Sequence, residues 1–173
     1  IGESNIKVGN KNAAKNAFRS ASRIDVDKEL QEDALFNYAK TSYEMSAHPY
    51  DNAILAFEEY INKYPKSTKL SDAYEFLLGV YYTTKNYKEA LRSLDRIKDK
   101  DIKLLEAKQR IAHYRAIELY IEEDYTKAIE LFKLSRENNF EPGIYASSLY
   151  WIAEAYYQLS DYDNANDAFS EFL

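Results

Sequence analysis

Residues 150–169 have the sequence YWIAEAYYQLSDYDNANDAF, in which two largely apolar segments flank a short polar break. In each segment, apolar residues recur at the spacing of one helix face: Ile152, Ala153 and Tyr156, then Ala165, Phe169 and Phe172. The break contains Ser160 and Asp161, which favour a turn and offer a side-chain oxygen to cap the helix that follows. The stretch therefore predicts two amphipathic helices joined by a tight turn.

The same unit recurs along the chain with the pattern Tyr-x-x-Ala-x-x-x-Phe. Its copies are Tyr50/Ala53/Phe57, Tyr87/Ala90/Leu94, Tyr125/Ala128/Phe132 and Tyr162/Ala165/Phe169. A fifth copy near the start has Lys11 in place of the tyrosine, followed by Ala14 and Phe18. Successive alanines lie 39, 37, 38 and 37 residues apart. A fixed spacing in this range indicates a stacked array of helix pairs.

This pattern resembles that of the tetratricopeptide repeat family, and the resemblance covers nearly the whole chain. The family pairs a small residue in its first helix with the alanine of its second, and Ala116 and Ala153 fill that small position here. Leu78 stands there in one unit and is expected to spread that helix pair slightly. The periods exceed the usual ~34 residues, so we expect longer helices or connections. The resemblance implies an all-α fold, a right-handed α-solenoid of antiparallel helix pairs.

The polar breaks divide the chain into successive units of one array, residues 1–173. We expect a partial repeat at 1–24, full repeats at 27–64, 67–98 and 103–137, and a truncated repeat at 144–173. The array is expected to be a fragment of a longer protein. The last helix carries Phe169, Phe172 and Leu173, which a following repeat would cover. Weak end-to-end self-association of the fragment is therefore expected.

Composition narrows the possible functions. The net charge of -6 argues against a nucleic-acid partner, which requires a basic surface. No uncharged run approaches the ~20 residues of a membrane helix, so direct membrane insertion is not expected. The sequence has no cysteine and only two histidines, His48 and His113, and it lacks a glycine-rich phosphate loop. We therefore expect no metal site, no cofactor and no enzymatic activity.

The resemblance also implies a binding surface, because first helices of the family line its concave face. Tyr82, Tyr120 and Tyr157 each lie five residues before a turn tyrosine and would form a ladder along that groove. Inward-facing positions of the same helices add further candidates: Glu75, Arg110, His113, Tyr150 and Glu154. Aromatic anchors with fixed polar groups suit an extended or helical peptide. The alternative is that these tyrosines only pack between neighbouring helices.

One subtype of the family is excluded by these positions. Members that grip a C-terminal carboxylate use a lysine and an asparagine, whereas the matching places here hold Glu75 with Gly79 and His113 with Ile117. Tyr64-Pro65-Lys66-Ser67 followed by Ala73-Tyr74 is closer to bacterial envelope repeat proteins, which implies a periplasmic or outer-membrane-associated assembly scaffold. The expected function is thus a non-catalytic protein–protein interaction scaffold that binds a protein or peptide. The alternative is a structural spacer, or the targeting arm of a larger multidomain protein, with no ligand in its groove.

Overall fold

A computed structural model of the chain describes residues 1–24, 27–45 and 52–173, and these residues contain ten α-helices and no strand. The helices are α1 (Gly2–Lys7), α2 (Lys11–Ala21), α3 (Lys28–Met45), α4 (Asn52–Lys63), α5 (Leu70–Thr84), α6 (Tyr87–Arg96), α7 (Ile102–Ile121), α8 (Tyr125–Ser135), α9 (Pro142–Gln158) and α10 (Tyr162–Phe172). The all-α, α-solenoid fold expected from the repeat is confirmed. Tyr50 and His48 lie outside the described residues.

The chain divides into two compact units. The N-terminal unit comprises residues 1–85 and 95–99, and the C-terminal unit comprises residues 86–94 and 100–173. In the N-terminal unit each helix from α1 to α5 packs on the next, and α3 also contacts α5. In the C-terminal unit α7, α8, α9 and α10 pack in the same consecutive manner, and α7 also contacts α9. Contact between alternate helices is the arrangement expected of stacked helix pairs.

The turns within helix pairs share one backbone arrangement. A residue with left-handed φ comes first, namely Gly9 (76°), Lys85 (53°), Glu123 (63°) or Ser160 (59°). The next residue is Asn10, Asn86, Asp124 or Asp161, whose side-chain oxygen accepts a hydrogen bond from the backbone N–H three residues later. The capping oxygen satisfies one of the free N–H groups at the start of the helix. The turn tyrosine of the repeat is therefore the first residue of α6, α8 and α10.

This register places the alanine of each repeat in the core. Ala14, Ala90, Ala128 and Ala165 are buried, and so are the first-helix residues Ala116 and Ala153 of the C-terminal unit. Burial of a methyl group on both helices of a pair allows close approach of the two backbones, as the small-residue pattern predicts. Phe132, four residues after Ala128, is fully buried beside them.

Two first helices begin two or more residues away from the predicted start of their repeat. α5 begins at Leu70 and not at Ser67, because the Ser67 hydroxyl is turned back to donate to Glu32 and accepts from the backbone N–H of Lys69. The Tyr60 hydroxyl also donates to Glu32, at 2.9 Å. Burial, with Glu32 beside it, raises the pKa of Tyr60 well above its usual range.

The second difference is that α9 begins at Pro142, two residues before the predicted start. Proline is well tolerated at the first position of a helix, where its missing N–H has no intrahelical partner. Pro142 therefore opens the helix and does not precede it. Of the helices in the described ranges, none is both long and apolar enough to cross a bilayer.

The left-handed turn gives a first testable prediction. Glu123→Gly should raise the free energy of unfolding by about 0.5–1 kcal/mol, because glycine adopts φ 63° without the strain of a side chain. Glu130→Gly, at an exposed position within α8, should instead lower it by about 1 kcal/mol. Urea unfolding of both variants measures the difference, and a loss of stability in Glu123→Gly would contradict the turn geometry.

Candidate functional site

An aromatic surface lies across two first helices of the C-terminal unit. We call it the α7–α9 aromatic patch, and it consists of Tyr120 from α7 and Tyr150, Trp151, Glu154 and Tyr157 from α9. Tyr150, Glu154 and Tyr157 recur every three or four residues and therefore share one helix face, which Trp151 flanks. The Trp151 ring lies 5.0 Å from that of Tyr120 and 5.5 Å from that of Tyr150, both in edge-to-face geometry. The patch thus joins four of the predicted groove residues, and it includes Trp151, which the sequence prediction omits.

The tyrosines of the patch differ in exposure. Tyr120 is half-buried, and its ring packs edge-on against the turn tyrosine Tyr125 at 5.2 Å. Tyr157 makes the same kind of contact with Tyr162 at 5.6 Å but remains 55% exposed. Tyr150 is 36% exposed. Packing between helices therefore covers much of the Tyr120 ring, whereas Tyr150 and Tyr157 retain exposed ring surface that a partner can contact.

The Tyr150 ring packs against the last helix, α10. Its ring lies 6.0 Å from Phe169 and 5.8 Å from Phe172, both on α10. Edge contacts of this kind favour one ring orientation over others. The exposed side of Tyr150 is therefore presented by a supported ring and not by a freely rotating one.

The polar group of the patch is the Glu154 carboxylate. It lies beside the Tyr150 hydroxyl, and this contact raises the pKa of Tyr150. The pKa of Tyr120 is raised first by burial and then by the nearby charge of Glu154. Both tyrosines are therefore neutral hydrogen-bond donors at physiological pH.

Arg110 and His113 do not join this patch. The Arg110 guanidinium donates to both carboxylate oxygens of Glu141, at 2.9 Å and 2.8 Å, and so holds the start of α9 against α7. A charge-assisted pair with two parallel hydrogen bonds is a strong and directional contact. Arg110 has a structural role in the described contacts, and the predicted contact with a partner stays a prediction.

His113 is buried, at 7% exposure, and does not line a groove as predicted. Its Nδ1 lies 2.8 Å from the Ser148 hydroxyl, and its ring packs edge-on against Phe132 at 5.6 Å. The Ser148 hydroxyl donates to Ser135, whose hydroxyl donates to the backbone carbonyl of Gln109. The histidine was assigned to the groove because its helix lines it, but its position on α7 faces α8 and α9.

This buried network was not predicted from the sequence. Its members Ser135 and Ser148 are small polar residues at core-facing helical positions, where apolar residues are usual. That placement was the only available signal. Buried polar groups require partners, and a chain of hydrogen bonds between α7, α8 and α9 supplies them.

Burial lowers the pKa of His113 below its ordinary value of 6.5, which links the stability of the protein to pH. The folded protein binds fewer protons than the unfolded chain in the window between the two pKa values. The stability contributed by the neutral ring is therefore fully present above pH 6.5 and is lost as the pH falls below it. We expect His113→Asn to weaken this dependence, as measured by urea unfolding at a series of pH values.

The other histidine provides a matched control. His48→Asn leaves His113 in place, so that variant should keep the contribution of His113 to the pH dependence. An equal loss of stability on acidification in the His113→Asn variant and the unaltered chain would contradict the assignment.

Glu75 and Tyr82 belong to the N-terminal unit. Glu75 lines a shallow cleft of about 380 Å³ between α3 and α5, together with Phe36, Lys40, Tyr43, Asp72 and Phe76. Tyr82 is exposed near the end of α5. The continuous ladder from Tyr82 through Tyr120 to Tyr157 stays a prediction, because its members lie in different units. No group of three or more His, Asp or Glu side chains in the described ranges is placed to hold a metal ion.

The tetratricopeptide repeat family model matches residues 33–67 and 147–173. The comparison with curated proteins finds no significant match. Two crystal structures of MamA are 19% identical to the chain with TM-scores of 0.43; one alignment covers 99% of this chain and 92% of that one, the other 100% and 86%.

A third solved structure contains nearly identical TPR-like repeats from Podosopora anserina, at 12% identity and a TM-score of 0.40, over 99% of this chain and 89% of that one. Similarity at this level supports no functional argument. The family match falls on two of the predicted units, and the remaining units carry the same periodic pattern and the same capped turns. Residues 33–67 and 147–173 thus match the tetratricopeptide repeat family.

Proposed function

We propose that the chain is a non-catalytic protein–protein interaction scaffold that binds a peptide or protein segment on the α7–α9 aromatic patch. Tetratricopeptide repeats in general mediate contacts between proteins. The observation that carries the finer proposal is the exposure of Tyr150 and Tyr157 on one face of α9, with Glu154 between them in the sequence. Tyrosine rings are frequent anchors in protein interfaces because they bury a large area and offer a hydroxyl.

The arrangement of α9 favours binding without large rearrangement. Its opposite face is buried through Ile152, Ala153 and Ala155. Arg110 fixes its first residues through Glu141, and α10 supports the ring of Tyr150. A partner that contacts this face therefore orders few additional side chains, which reduces the entropic cost of binding.

The rival proposal is a structural spacer or targeting arm whose patch is empty. It is favoured by Tyr120, whose ring is engaged by Tyr125 and Trp151 within the chain. The two proposals differ in what the exposed rings contribute. In a spacer, removal of Tyr150 and Tyr157 changes stability a little and has no effect on binding.

The test uses peptides selected on the chain from a random library displayed on phage. The double variant Tyr150→Ala with Tyr157→Ala should bind the selected peptides at least tenfold more weakly, because loss of an anchoring ring commonly costs more than 1 kcal/mol. Tyr114→Ala is the matched control, since Tyr114 is 43% exposed on α7 but lies outside the patch. Isothermal titration gives the affinities, and circular dichroism verifies the fold.

Equal affinity for the double variant and the Tyr114→Ala variant would favour the spacer. Tyr120 is left unaltered in this test because its removal would disturb the packing of α7 on α9. Arg110, His113, Glu75 and Tyr82 remain candidates only as part of the broader groove proposal. A role in bacterial envelope assembly likewise remains a proposal that rests on the Tyr64–Ser67 resemblance.

Weak self-association is kept as a proposal on separate grounds. Phe172 is 42% exposed in the C-terminal unit. In the N-terminal unit an apolar cleft of about 670 Å³ lies beside Phe18 and Ile24, although Phe18 itself is buried against α1. Exposed apolar surface favours association by roughly 25 cal/mol per Å² buried. Sedimentation velocity should show an increasing mean mass with concentration, and a constant monomer mass at high concentration would contradict it.

A further inference from the structure

We infer that Glu154 and the surrounding rings of the α7–α9 aromatic patch receive a cationic side chain, foremost an arginine, from a basic segment of the protein partner. This inference rests on the proposed function, because it specifies which chemistry the patch recognises. It commits to a basic partner segment and assigns the contact to one carboxylate and the rings beside it.

In the C-terminal unit, all but two of the half-buried carboxylates have cationic partners within the chain. The paired ones are Glu89 with Arg92, Glu118 with Arg115, Asp124 with Lys127, and Glu141 with Arg110. Asp161 is the first exception, and its carboxylate caps α10 through Asn164.

Glu154 is the second exception. Among the described residues it has no cationic partner, and the donor beside it is the neutral hydroxyl of Tyr150. A half-buried negative charge that receives one neutral donor retains unused acceptor capacity. A cation placed against it gains a charge-assisted hydrogen bond in partly desolvated surroundings, where such bonds are stronger than in water.

Two other tyrosines of α9 contact cations within the chain. The Arg136 guanidinium lies over the Tyr145 ring at 4.5 Å, and the Lys133 ammonium lies over the Tyr156 ring at 5.5 Å. These cations come from α8 and from the residue that follows it. The tyrosines on this face of α9 therefore already contact cations of the same chain. Tyr150 and Tyr157, on the patch, have no such cation among the described residues. The faces of their rings carry negative potential and attract cations.

These features favour arginine over lysine. A guanidinium can stack on a tyrosine or tryptophan ring and donate two hydrogen bonds to one carboxylate at the same time. Arg136 combines a ring contact with a carboxylate contact within this chain: its guanidinium lies over the Tyr145 ring, and its Nη2 donates one hydrogen bond to Glu171. The net charge of -6 further favours approach of a basic segment over an acidic one.

The experiment uses the only tryptophan of the chain, Trp151, as a fluorescent reporter within the patch. The probes are N-acetyl-arginine amide and its uncharged analogue N-acetyl-citrulline amide, titrated at low ionic strength. The arginine probe should change Trp151 emission saturably, and its apparent affinity should exceed that of the citrulline probe at least fivefold. Glu154→Gln should reduce the arginine affinity at least fivefold and abolish the preference. Glu130→Gln, an exposed change on α8, should leave both unaltered.

Three results would overturn the inference: no saturable response to the arginine probe, equal affinity for citrulline, or a preference that persists in Glu154→Gln. None of them affects the proposed function, which is decided by the phage-selected peptides and the Tyr150/Tyr157 variant. If those peptides bind through the patch but contain no basic residue, the patch is a protein-binding surface and the cationic assignment is wrong.

Discussion

In the described turns, the hydrogen bond that an Asn or Asp side-chain oxygen accepts from the first turn of the second helix sets the register on which the repeat depends. It fixes the helix start one residue after the cap. The helical period then places on the core side the alanine and the phenylalanine that follow this first helical residue by three and seven positions. In the final unit the residues in question are Asp161, Ala165 and Phe169. A shift of one residue would rotate the second helix by about 100° and expose its apolar face.

The same constraint gives α9 one buried face and one exposed face. Its buried side contains small residues such as Ala153, which allow α10 and α8 to approach closely. Close approach leaves little space for large side chains between the helices, so the tyrosines at the remaining positions of α9 face outward or lie at the margins. The exposed aromatic surface is therefore a direct consequence of dense packing on the opposite side, and it is rigid for the same reason.

The fold could be predicted from the sequence because each repeat gives the same signals again. The spacing of the alanines, the polar turns and the capping residues all predict the same helix boundaries, and the described helices lie within a few residues of them. The site was harder to predict. Helical spacing selects Tyr150, Glu154 and Tyr157 as candidates, but it does not distinguish the outward face of α7 from its buried face, so it does not predict the burial of His113. Side-chain pairing across helices, such as Arg110 with Glu141, depends on distances that a single sequence does not contain.

The position of Glu154 has a physical consequence for how the patch responds to a ligand. In the free protein the neutral Tyr150 hydroxyl is the donor beside the carboxylate. A positively charged ligand group would compensate it more completely, and the Tyr150 hydroxyl could then turn toward the ligand or solvent. The free energy of binding would include this exchange of a neutral donor for a charged one, and not the whole strength of the ion pair. The patch would therefore bind single cationic groups weakly, and useful affinity would require additional contacts of the same partner with Trp151 and Tyr157.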